Sequence, residues 1–136
     1  MADVIDFSNR TLRTPIERTD LYQRAYTLAQ EIHKATLDFP EVEQRELGDD
    51  VRRAVRAVCT HLVEGFEKQK KASPSFYVEV DILTMVAIDV ARKVDFMLRY
   101  CRDLGYIDVG RCDRWCEGYG AILHQLQEIN EATQEV

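Results

Sequence analysis

The window from Ile82 to Ala91, ILTMVAIDVA, does most to limit what this chain can fold into. Only Thr84 and Asp89 in it are polar. Ten residues wrap nearly three turns of α-helix, so this stretch is apolar almost all the way round. A helix of that kind is covered on every side. It sits inside a helical pattern that spans Ser73 to Leu104. In a chain of 136 residues, three partner helices can cover one side of it, and the other side calls for a second subunit or another partner.

Three further segments carry a helical repeat. The first starts at Pro15 or Asp20 and ends at Phe39. Its seam is Leu21, Ala25, Leu28, Ile32, Ala35 and Phe39, alternating steps of four and three. Thr14, Pro15 and Glu17 form a capping pattern at its start, and Pro40 ends it. The second runs from Gln44 to Lys71 along Leu47, Val51, Ala54 or Val55, Val58, Leu62 and Phe66. Ser73–Pro74 then reads as the cap and first position of the long helix, whose inner seam is Phe76, Val80, Leu83, Ala87, Val90 or Ala91, Val94, Met97 or Leu98, and Cys101. Gly105 stops it. The fourth opens after Asp108 and runs to Ala132 along Val109, Cys112, Cys116, Tyr119, Ile122 or Leu123, Leu126 and Ile129. Gly118 and Gly120 inside it are explained by close helix approach, by a bend, or by simple tolerance. Four helices with short connections predict an all-α, up-down-up-down antiparallel four-helix bundle with a long third helix, spanning residues 15–134 behind an N-terminal arm, residues 1–14.

Charge and cysteine use narrow the function classes. The net charge is −6 and the pI about 5.1, against a bulk basic footprint for nucleic acid. Only residues 47–71 are net basic, with six basic against four acidic side chains. No apolar run approaches the length of a membrane span, and the N-terminus lacks a signal-peptide pattern, so no membrane partner and a cytoplasmic location are expected. Cys59, Cys101, Cys112 and Cys116 read as reduced, buried thiols. Cys112 and Cys116 are spaced to pair or share a metal, but no second tight pair accompanies them. His33, His61 and His124 are preceded at three residues by Gln30, Val58 and Ala121, so the Glu-x-x-His pairs of di-iron bundles are missing. No phosphate loop, nucleophile elbow or triad order is present. No cofactor, no catalytic residue and no enzyme activity are expected.

The stretches DLYQRAYTLAQEIHKATLDFP, LGDDVRRAVRAVCTHLVEGF and SFYVEVDILTMVAIDVARKVDFMLRYCRDLGYI occur in an order that resembles a known bacterial family. These are the four-helix-bundle proteins encoded in intervening sequences of 23S rRNA genes. The resemblance spans roughly residues 20 to 130 and rests on Arg52, Arg53, Ala54, Glu64, Gly65, Leu104, Gly105 and Tyr106. It implies a left-turning bundle that assembles into a ring of five, with no assigned biochemical activity. A related branch, the accessory proteins of diversity-generating retroelements, binds a reverse transcriptase and nucleic acid through a basic surface.

Two sets of candidate residues follow. The second stripe of the long helix, Val78, Ile82, Met85, Val86 and then Ile88, is the candidate subunit interface together with Glu64 and Gly65. Arg45, Arg52, Arg53 and Arg56, with Lys68, Lys70 and Lys71, form a candidate phosphate or partner stripe on helix 2. The alternative for that stripe is a solvated flank paired with Asp49 and Asp50. Tyr22 and Tyr26 are the nearest candidates for base stacking. The expected function is a non-enzymatic homo-oligomeric scaffold, five subunits by the family resemblance, that binds a macromolecule. The alternative is an RNA- or DNA-binding accessory protein.

Overall fold

The computed structural model describes the backbone of residues 15–69 and 76–135, and their side chains except at 15, 66–69, 76–84, 130 and 132–135. Four α-helices fill these residues: α1 Asp20–Thr36, α2 Leu47–Gln69, α3 Phe76–Asp103 and α4 Val109–Glu135. Short 3-10 turns at Pro15–Arg18 and Glu41–Glu43 precede α1 and α2. Each helix packs on the next and α4 closes back on α1, while among the described residues the backbones of the diagonal pairs α1–α3 and α2–α4 stay apart. This is the expected all-α, up-down-up-down bundle.

The core follows the seams. Leu21, Ala25, Leu28, Ile32, Ala35 and Phe39 are all buried. Val51, Ala54, Val55, Val58 and Leu62 of α2 meet Ala87, Ala91, Val94, Met97, Leu98 and Cys101 of α3, with Cys112, Tyr119, Ile122 and Leu126 of α4, in one cluster. Val109 departs from its predicted seam and is exposed. As the first residue of α4 it precedes the packed turns, and Ile107, just before the cap, takes the buried place.

The helix ends obey local rules. Thr14 lies outside the described residues; α1 itself is capped by Thr19, whose hydroxyl accepts from the Tyr22 amide at 3.2 Å. The residues from Pro15 make a tighter turn instead of a first α-helical turn. Helix α1 ends at Thr36, three residues before the predicted Phe39, because the chain must already be leaving the helix ahead of Pro40. The predicted cap at Ser73–Pro74 also lies outside the described residues. Gly105 adopts φ +83°, a conformation costly for residues with a Cβ. Its amide donates to Arg102 O at 2.9 Å and the Tyr106 amide to Cys101 O at 2.9 Å, the paired bonds of a Schellman stop. Asp108 caps α4, accepting the Arg111 amide at 2.7 Å.

The two glycines of α4 separate. A Cβ on Gly118 would sit 2.7 Å from Leu28 Cδ1, whereas one on Gly120 would meet nothing within 4 Å. Gly118 is therefore where α4 closes on α1, and Gly120 faces open space.

Candidate functional site

The predicted arginine stripe divides within one turn of α2. Arg52 turns inward, its side chain only 11 % exposed. Its guanidinium donates to Thr36 Oγ1 at 2.7 Å, to Gln44 O at 2.5 Å and to Asp49 Oδ1 at 2.9 Å. The Gln44 amide reaches the carbonyls of Thr36 at 2.8 Å, Leu37 at 3.2 Å and Phe39 at 2.9 Å. Gln44 thus satisfies carbonyls left open at and just after the end of α1, and Arg52 ties Gln44 to the Thr36 hydroxyl. Arg53 is 68 % exposed and lies 3.8 Å from Asp49 and 3.6 Å from Asp50. The hydrogen bond from Arg52, more than any other contact, holds the Asp49 carboxyl below its ordinary range. Arg45 and Arg56 are exposed. The side chain of Lys68, and Lys70 and Lys71 altogether, lie outside the described residues.

The connection between α3 and α4 docks on the same end of the bundle. The Tyr106 hydroxyl donates to Glu43 Oε2 at 2.9 Å, and its ring packs on Phe39 with centroids 5.2 Å apart. The Phe-Pro close, the first arginine of the pair and the Leu-Gly-Tyr exit therefore converge on one structural lock.

Arg56 lines a groove between α1 and α2. Tyr26, Ala29, Gln30, His33 and Lys34 form its α1 wall and Arg56, Cys59 and Thr60 its α2 wall, around a volume of about 400 Å³. Three of these residues carry basic side chains and none carries a carboxylate. Tyr26 is stacked on Tyr22, with centroids 5.8 Å apart and planes 20° from parallel. The sequence pointed to Tyr22, Tyr26 and Arg56 separately; nothing in its periodicity put His33, Lys34 and Arg56 across one groove.

The outer face of α3 carries exposed apolar side chains, and those described extend beyond the predicted stripe. The side chains of Val78 and Ile82 lie outside the described residues, Met85 is 51 % exposed, Val86 is half-buried and Ile88 is buried in the core. Further along, Phe96 is 65 % and Tyr100 50 % exposed, followed by exposed Leu104. Steps of eleven, four and four put Met85, Phe96, Tyr100 and Leu104 within one third of the helix circumference. Phe96 and Tyr100 stack with centroids 6.0 Å apart. Sequence reasoning passed over these two because they fall between charged neighbours, Arg92, Lys93, Asp95 and Arg99, outside the apolar window. Glu64 is exposed and meets the His61 ring at 3.2 Å, and Gly65 is buried.

Three of the four cysteines have thiols made less acidic by their surroundings. Burial pushes Cys59 up to about 11, and Cys101 and Cys116 up to about 12, the opposite of an activated nucleophile. Cys112 and Cys116 share a hydrogen bond at 3.9 Å between sulfurs and form no disulfide. Among the described residues no three His, Cys, Asp or Glu side chains gather in an arrangement able to hold a metal. Trp115, absent from the predicted seam, is buried and donates its indole N–H to Glu31 of α1 at 2.9 Å. Among the described residues, no helix is long and apolar enough to cross a membrane.

No curated protein matches the chain at a significant level. The family model of the 23S rRNA-intervening sequence proteins matches residues 17–128. Those residues hold the lock, both walls of the groove and the exposed face of α3, and on this match the chain belongs to the 23S rRNA-intervening sequence protein family.

Proposed function

We propose that this protein is a non-enzymatic, homo-oligomeric helical scaffold that acts by binding a macromolecule, with five subunits as in the family it resembles. The observation that carries this reading is the outer face of α3. Phe96, Tyr100 and Leu104 are exposed together, flanked by charged residues, and Met85 is exposed on the same side of the helix beyond Asp89 and Arg92. Large apolar side chains exposed together and rimmed by charge mark an association surface, and interface cores favour aromatic residues and Met. A ring of repeated contacts would cover this face on every copy. The absence of catalytic motifs and the upward-shifted thiols support a role without chemistry.

Light scattering on the purified full chain tests the reading. The expected mass is a multiple of 15.8 kDa, about five-fold by the family resemblance. Phe96→Asp combined with Tyr100→Asp should reduce it to a single chain while far-ultraviolet dichroism stays unchanged. A wild-type monomer at micromolar concentration would end the proposal, as would a double variant that keeps the wild-type mass.

A further inference from the structure

The α1–α2 groove differs in character from the rest of this acidic chain. His33, Lys34 and Arg56 line it together, and no Asp or Glu does. Two neighbouring carboxylates are engaged elsewhere. Glu31 accepts from Trp115 of α4, and Asp49 is held by Arg52 and Arg53, with Arg56 the weakest of its cationic neighbours. Among the described residues no carboxylate forms an ion pair with Lys34 or Arg56, so the groove presents positive charge. Beside that charge, Tyr26 lies on the α1 wall with its ring backed by Tyr22. Gln30 and Thr60 add polar groups, and Ala29 and Cys59 an apolar floor.

We propose that this groove binds single-stranded nucleic acid, with an unpaired base against Tyr26 and the adjoining phosphates at Lys34 and Arg56. This deepens the binding half of the proposed function by naming the partner's chemistry; it does not depend on subunit number. An aromatic platform beside a cationic track is the arrangement that holds a single strand without reading its sequence. A volume of about 400 Å³ suits one unpaired nucleotide at a time. A duplex cannot use it, because its base faces are already covered by their stacked neighbours. The site differs from the stripe read on the outside of α2: Arg52 is withdrawn into the lock, Arg53 faces Asp49 and Asp50, and only Arg56 of the three belongs to the groove.

The test is fluorescence anisotropy of a short dye-labelled oligouridylate with the full chain at low and rising salt. Tyr26→Ala should weaken binding roughly tenfold or more, the usual effect of losing a stacked base, and Tyr26→Phe should restore it. Lys34→Gln with Arg56→Gln should weaken binding and flatten the salt dependence by about 1.4 in log–log slope, since each single-strand phosphate contact contributes about 0.7. Arg45→Gln with Arg53→Gln should leave affinity near wild type. Four results would overturn the proposal: no binding at low salt, wild-type affinity in Tyr26→Ala, a loss confined to the Arg45 and Arg53 pair, or a duplex or phosphopeptide that competes as well as the strand. Light scattering on the same samples keeps the scaffold separate, because lost binding at unchanged mass counts against the groove alone.

Discussion

Arg52 and Arg56 stand one turn apart on α2 and belong to two different kinds of surface. Arg52 enters the end of the bundle where both connections meet. It bonds to Thr36, Gln44 and Asp49, while Tyr106 joins Glu43 nearby. Arg56 faces a groove lined by Lys34, His33 and Tyr26. At the first surface the guanidinium is matched within the chain; at the second, Lys34 and Arg56 have no ion pair among the described residues. The comparison shows why a run of arginines carries little functional meaning until each side chain is followed to its partners. A satisfied guanidinium stabilises the fold, and an unneutralised one attracts an anion.

The difference is open to direct attack. The largest effect is expected from Arg52→Ala, which strips hydrogen bonds from buried Thr36 and from Gln44 and should cost about 2–3 kcal/mol of stability. Arg56→Ala, one turn on, should leave stability within about 0.5 kcal/mol, as for other surface substitutions. Urea denaturation of the pair checks this, and equal losses would erase the distinction between lock and groove. Tyr106→Phe should cost less than Arg52→Ala, because it removes one hydrogen bond and keeps the ring on Phe39. A thermal midpoint matching wild type would show that the Glu43 bond adds nothing to the lock.

The smallest effect concerns pH. Asp49 is held below its ordinary value of 3.8 chiefly by the Arg52 hydrogen bond, and Asp108 chiefly by the Arg111 amide. A carboxyl depressed in the folded state stabilises it above the unfolded value, and that contribution disappears as pH falls through the folded value. Asp108→Asn should therefore be less stable than wild type near pH 7, with the gap closing once the pH drops below about 4. Denaturation midpoints of both proteins across that range provide the measurement. A gap that widened in acid would reverse the sign assigned to Asp108.

Much of the fold was legible because its determinants are local. Pro40 ends α1, Asp108 caps α4, and Gly105 takes the left-handed conformation that a Schellman stop needs. The buried seams follow from a repeat of 3.6 residues and require no knowledge of neighbours. The candidate sites were less legible. Periodicity put Arg52 on the flank of a seam but could not show that its long side chain crosses to the end of α1. It directed attention to the apolar window near Ile82, although the exposed aromatics that the structure describes lie one to two turns beyond it, among charges. It also missed Trp115, whose burial depends on Glu31 being placed opposite by another helix.

What the sequence determined by itself is the number and type of elements, most of their ends, their buried faces and the family. Those properties arise from interactions between residues close along the chain, or from one helix face shunning water. Only the tertiary structure decided which of the described cations are paired, where aromatic surface remains uncovered, and why Gly118 lies against Leu28 while Gly120 faces open space. Each of those depends on which residue a neighbouring helix brings within a few ångströms. That distance is set by how the four helices pack together, and no single stretch of sequence specifies it.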